Sequence, residues 1–219
     1  MIGCCKGKQR CKVGTDIRGY IEVGLRVPGG GVQWSGVEEL IVLGHYDMFG
    51  CLFGVRNYAN FRPIAPERGI PADASPEVKQ RVAEILEWFE RGSTDFYSDT
   101  WISWAEIKAI DWEEEALGAD SRLHRYRRSE DGTLVYEGKS SWSGELAAAV
   151  GMDLTEALYY KLDLPEGEEV DLGERVYRAV KIKRKEVISP AWREVFEKMA
   201  GLAEEHGDEL VRLVVWFDW

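Results

Sequence analysis

The chain has 219 residues, enough for one compact domain with a sizeable core and at most a subdomain. With 45% hydrophobic and 31% charged residues it has an ordinary globular composition, and no apolar run is long enough to span a bilayer. The net charge of -11 argues against extended binding of duplex nucleic acid, because an acidic surface repels phosphate backbones. The charge is uneven: residues 1–70 carry nine Lys or Arg against six Asp or Glu, so a local basic pocket for a small anion is allowed.

Residues 1–14 read as a flexible leader. Cys4, Cys5 and Cys11 crowd it with no His nearby, and adjacent Cys4 and Cys5 lack the spaced pairing of structural zinc sites. The leader also lacks the apolar region of a secretion signal, so a reduced, cytoplasmic protein is expected. From Thr15 to Val27 the pattern alternates as a strand, with Gly19 marking a bulge or a close backbone approach. Pro28–Gly31 is a turn, and Val32–Ser35 returns as a short strand. Tyr46 to Val55 is predicted helical, with Tyr46, Phe49 and Phe53 on one face and Gly50 and Gly54 spaced to let another backbone approach. Arg56-Asn57 ends it, Arg suiting the helix dipole and Asn a left-handed cap.

Arg62–Ala74 contains three prolines and a glycine and is predicted to be ordered but irregular. Ser75-Pro76 starts a helix whose buried stripe is Val78, Val82, Ile85, Leu86 and Phe89, ending at Gly92. Ser103 and Glu106 have capping-box spacing at the start of another. Residues 113–145 form an irregular insertion with a strand at Thr133–Glu137. Its RLHRYRR segment, the only dense basic run, is predicted to be a solvated loop. Val176–Ile188 alternates as one strand whose lysines could protect a sheet edge. Ser189-Pro190 opens a helix to about His206, and Leu210–Trp219 is a strand buried on at least one face. Strands and helices intersperse without a βαβ period. The predicted fold is therefore α+β, a mixed, largely antiparallel sheet with three to four packed helices in a single domain over residues 15–219.

Several segments together resemble a family of small proteins, mostly encoded by bacteriophages and occasionally by bacteria, with no established activity. They are Asp16-Ile17-Arg18, Tyr46-Asp47-Met48-Phe49, Val55-Arg56-Asn57, Arg68-Gly69-Ile70-Pro71, Ala74 to Val78, Ser98 to Ser103 and Val214 to Asp218. Members often carry Asp-Ile-His near the start and an Asp-x-His-Ser-x-Ser-Trp stretch in the middle, a combination that invites a metal site. Here those positions read Arg18 and Asp95-Phe96-Tyr97-Ser98-Asp99-Thr100-Trp101, so two imidazoles are replaced. The resemblance implies a phage-type accessory protein, acting in the host cytoplasm.

Arginine among apolar residues must find an anionic or carbonyl partner, because an isolated buried guanidinium costs several kcal/mol. The candidate ligand-binding residues are Asp16, Arg18, Tyr46, Arg56, Asn57, Arg62, Arg68, Asp95, Ser98 and Trp101, with Arg18, Arg56 and Arg68 expected to converge on one cavity. Guanidinium groups would fork phosphate or carboxylate oxygens, and aromatics would stack on a ring. Local explanations compete at each position: an Asp16/Arg18 ion pair, a helix end at Arg56-Asn57, caps and turns around Asp95 to Asp99. No Ser-His-Asp, Cys-His, P-loop or dinucleotide motif is present, and His45, His124 and His206 lack HxH or HExxH spacing. Neither catalytic residues nor a metal or cofactor is therefore expected. The leading expectation is a binder of a small anionic, nucleotide-like ligand, used to sequester a host defence signal. Alternatives are a metal-dependent nucleotide hydrolase or its inactive homolog, and an acidic decoy that blocks a host protein. Self-association is compatible with each.

Overall fold

The computed structural model describes residues 14–90, 96–159 and 164–218; residues 1–13 of the leader, Gly92, Asp95 and Trp219 lie outside these, as does the Phe89 side chain. Its first sheet contains β1 (Asp16–Arg26), β2 (Val32–Leu43), β3 (Tyr97–Ser103) and, from the far end of the sequence, β8 (Val211–Asp218). The order is β2-β1-β8-β3, antiparallel throughout. Alternation along β1 sends Ile17, Ile21 and Val23 to one face. There they join Leu213, Val215 and Phe217 of β8 in the main core with α1 (Tyr46–Phe53) and α6 (Pro190–His206). Val214 and Trp216 occupy the other face and pack on Val78 and Ile85 of α2 (Pro76–Glu90). Strand β8 is thus buried on both faces, which is why its sequence is a continuous apolar run.

Gly19 permits this packing, because a Cβ there would lie 2.0 Å from the Val214 carbonyl oxygen. The β1–β2 ladder is bulged instead at Val37 of β2, opposite the step from Ile21 to Glu22. The strand after the Pro28–Gly31 turn is longer than predicted, reaching Leu43. The predicted caps form: Ser75 accepts from the Val78 amide, Ser189 from Trp192, and Ser103 with Glu106 closes a full capping box on α3 (Trp104–Lys108). Leu86, predicted to be buried on α2, is exposed.

Two expectations are corrected. The region 113–145 is irregular only as far as Arg122, and RLHRYRR is not a loop. It forms β4 (Leu123–Arg128), which pairs with β5 (Leu134–Ser140) and with β7 (Arg175–Arg178). With β6 (Glu169–Asp171) these make a second antiparallel sheet, β5-β4-β7-β6. One of its faces packs Leu123, Val170 and Tyr177 against α4 (Gly144–Ala149) and α5 (Leu154–Tyr159) in a separate small core. The predicted strand Val176–Ile188 stops at Arg178 and gives way to a 3-10 turn at Arg184–Val187. It is also interior, between β4 and β6, rather than an edge. The chain leaves the sheet because Arg184 turns inward: Nη2 donates to the Arg62 carbonyl at 2.8 Å, Nη1 to that of Cys51 at 3.3 Å, and Nε to Glu114 at 3.0 Å.

The sheets are joined by a charged junction. Asp120, its carboxylate fully shielded from solvent, accepts from Arg122 Nη2 at 2.9 Å and Lys139 Nζ at 2.6 Å, and both cations also reach Asp47 on α1. Burial pushes the Asp120 carboxyl up, but Arg122 and then Lys139 outweigh it and hold the group below the usual carboxylate range. Backbone bonds from Leu117 to Asn60 and from Ser121 to Tyr58, each 2.9 Å, complete the seam. No helix among the described residues is long and apolar enough to cross a membrane.

Candidate functional site

The end of α1, the proline-rich loop after it and the start of β3 enclose a cleft of about 550 Å³, lined by Phe53, Gly54, Val55, Arg56, Pro63, Pro66, Glu67, Tyr97 and Ser98. Local chemistry fixes each wall. Gly54, at φ +79°, takes the left-handed cap of α1, a role predicted for Asn57. The amides of Ile64 and Ala65 both donate to the Leu52 carbonyl, which folds the loop back onto the helix end. Asn57 closes the intervening turn, its Nδ2 donating to the Phe61 carbonyl at 2.7 Å and its Oδ1 accepting from the Phe61 amide at 3.0 Å. Its backbone lies against Gly50, where a Cβ would come within 2.7 Å of the Asn57 Cα; this is the close approach that the glycine spacing predicted. The far side of the loop is laced to β3, with Thr100 Oγ1 donating to the Ala65 carbonyl at 2.6 Å and Asp99 Oδ2 accepting from the Ile70 amide at 2.8 Å.

Three cleft residues, Arg56, Glu67 and Ser98, hold positive φ values of 51°, 44° and 51°. Left-handed backbone at non-glycine residues is sparsely populated, costs of order 1–3 kcal/mol each, and persists where the surroundings over-determine it, as at ligand clamps. At Ser98 it coincides with a register shift in β3 between Tyr97 and Thr100.

Behind the cleft, buried Thr15 organises a hydroxyl network. Its amide donates to the Tyr46 hydroxyl at 3.0 Å, its Oγ1 shares a hydrogen bond with the Tyr97 hydroxyl at 2.8 Å, and that Oγ1 accepts from Arg56 Nε at 2.9 Å. Arg56 Nη1 also reaches the Tyr58 hydroxyl at 3.4 Å. Hydroxyl oxygens thereby orient the guanidinium.

Of the residues singled out from sequence, Tyr46, Arg56 and Ser98 are brought together here, and Asn57 shapes the loop between them. The expected convergence of Arg18, Arg56 and Arg68 does not occur. Arg18 lies on the α2 side of β1, the sheet standing between it and the cleft, and its Nε donates to Asp218 at 2.8 Å. Asp16 shares that face, in register with Asp218. Arg68 forks Glu106 at 2.8 and 3.1 Å, donates to the Trp101 and Ile64 carbonyls and stacks 5.1 Å from the Trp101 ring, so an internal acid already takes its charge. Burial raises the Glu106 carboxyl, but hydrogen bonds from Arg68 and Ser103 prevail and hold it low. Trp101 is shared with Arg212, 5.8 Å away, and belongs to the α2 side of the sheet. Arg62 is exposed and contributes its carbonyl to Arg184. Asp95 lies outside the described residues.

The residues that sequence reasoning left out of the site are Thr15, Tyr58, Glu67 and the two prolines. Tyr97, beside Ser98 in a run of hydrogen-bonding side chains, was legible; Thr15 and Tyr58 carried no local signal. Among the described residues no group of three or more His, Cys, Asp or Glu is arranged to hold a metal ion. No protein-family model matches the chain, and no curated protein or solved structure is significantly similar to it.

Proposed function

We propose that the Arg56 cleft binds a small anionic ligand, with a nucleotide as the best chemical fit, and that the protein acts as a phage-type accessory factor that sequesters such a molecule. The observation that carries this reading is the oriented guanidinium of Arg56 on the wall of a cleft of about 550 Å³, flanked by left-handed Ser98 and Glu67. Small-molecule sites typically span about 300–1,000 Å³, with mostly apolar walls and a few fixed polar groups. Phe53, Pro63, Pro66 and Tyr97 supply flat apolar surface for a ring, while Arg56 and Ser98 supply cation and hydroxyl for an oxyanion. Glu67 favours a ligand with its negative charge at one end and amino or hydroxyl hydrogens at the other. The family resemblance supplies the biological context, and binding without turnover fits the replacement of both family imidazoles by Arg18 and Tyr97.

Thermal melts with a panel of cyclic and linear nucleotides test this. Saturating ligand at a hundredfold excess over its dissociation constant should stabilise the protein by about 2.7 kcal/mol. Arg56→Lys, which keeps the charge and loses the fork, should weaken the effect, and Arg56→Gln should remove it. A panel in which no nucleotide moves the melting temperature would sink the reading.

A further inference from the structure

The basic run on β4 gathers positive charge around one carboxylate, on residues that do not line the Arg56 cleft. Arg125 and Arg127 project from one face of β4, and Arg175 stands opposite Arg127 on β7. The bulge between Arg125 and Tyr126 leaves Glu137 of β5 outside the regular register, and all three guanidinium groups turn toward it. Their Nε atoms lie 3.2, 3.3 and 3.7 Å from its carboxylate oxygens. Among the described residues no other carboxylate is within ion-pair distance of any of the three. Two positive charges are therefore left over in a protein whose net charge is -11. The buried Nε of Arg125 has no hydrogen-bond partner. Further along the same face Leu123 and Tyr177 are covered by α4 and α5, whereas Arg127 and Arg175 are each 48% exposed.

A stable protein gains little from concentrating like charge: one carboxylate attracts all three guanidinium groups, but their mutual repulsion cancels much of that gain and leaves net positive charge. The arrangement suits an incoming dianion, since guanidinium forks match phosphate oxygens and several of them can share one tetrahedral group. By contrast, neighbouring Arg128 and Arg178 each have their own acid, Asp171 at 2.6 Å and Glu169 at 2.5 Å. We propose that Arg125, Arg127 and Arg175 form a binding site for a phosphoryl group, with Glu137 as a built-in competitor that holds the arginines in place until the ligand arrives. The acidic surroundings favour the terminal phosphoryl of a small molecule over a polynucleotide backbone.

Glu137 makes the idea testable in both directions. Isothermal titration of the full-length protein with pyrophosphate, at low salt, should give saturable binding. Glu137→Gln should tighten it about fivefold, and Arg127→Gln or Arg175→Gln should weaken it by a similar factor, the range of an exposed charge pair. Both arginines are half exposed, so unchanged melting temperatures would confirm that these variants fold. In an Arg56→Gln background the same three substitutions should still shift pyrophosphate binding by the same factors, which separates this site from the cleft. A labelled single-stranded oligonucleotide, followed by fluorescence anisotropy, identifies the source of the phosphoryl. Tighter capture of it with the same variant dependence would keep the site and assign it to a polynucleotide. No saturable binding of either probe to wild type and Glu137→Gln, or binding indifferent to all three substitutions, would overturn the proposal.

Discussion

Arg184 shows how one side chain can override a strand pattern. It is 1% exposed, lies 5.5 Å from the Phe61 ring centroid and supplies donors to carbonyls on α1 and on the loop after it. Arg184→Met keeps the bulk but strands those acceptors, and a buried unsatisfied acceptor costs about 1–3 kcal/mol. We expect a loss of about 3 kcal/mol in urea unfolding; a loss below about 1 kcal/mol would mean that water takes over the donor role. The Cys51 thiol sits against the same guanidinium. Burial pushes its pKa up and Arg184 opposes this only in part, so the reactive thiolate is suppressed. Iodoacetamide should therefore leave Cys51 unmodified in the native protein and label it on unfolding; rapid native labelling would contradict the packing. None of this was legible locally. In sequence Arg184 is one more cation in a run of Lys and Arg, and nothing near it names the carbonyls it meets.

Among the elements, α3 is the one whose start is written most completely. Ser103 accepts from the Glu106 amide at 3.2 Å and Glu106 accepts back from the Ser103 amide at 3.0 Å. Ser103→Ala should cost about 1 kcal/mol. Arg68 adds a pH signature. Because the folded Glu106 carboxyl titrates below its ordinary range, its contribution is present above the unfolded pKa of about 4.3 and is lost as pH falls through the folded value. Glu106→Gln should flatten that acid limb in a stability-versus-pH series; an unchanged slope would remove Glu106 as its source. The caps at Ser75, Ser103 and Ser189 and the twice-buried β8 were legible because each is encoded within a few residues. Strand β4 was not, and β7 was found only as the start of a longer predicted strand, since the pairing of the two spans some fifty residues and local periodicity carries no address. The same gap separates Arg56, which its apolar context brings forward, from Thr15, whose role exists only once β1 and β3 flank β8 in one sheet.

At the scale of the whole molecule, two cores are coupled through Asp47, Asp120, Arg122 and Lys139. Asp120 is held low by Arg122 and Lys139, so the junction is intact above the ordinary Asp pKa of about 3.9 and weakens as pH drops toward the folded value. Hydrogen exchange on acidification should rise first at the Leu117 and Ser121 amides, before the β1–β8 ladder opens. Asp120→Asn should show that loosened seam already at neutral pH; simultaneous loss of both regions would instead mean one cooperative unit. The position of β8 has a further consequence for how the molecule comes into being. Its slot lies between β1 and β3, so the β1–β2 hairpin leaves the ribosome with a bare flank that nothing can close until residues 211–218 have been translated. A nascent chain must shield that flank through most of its synthesis, and a stalled or prematurely released one carries an adhesive sheet margin into the crowded cell.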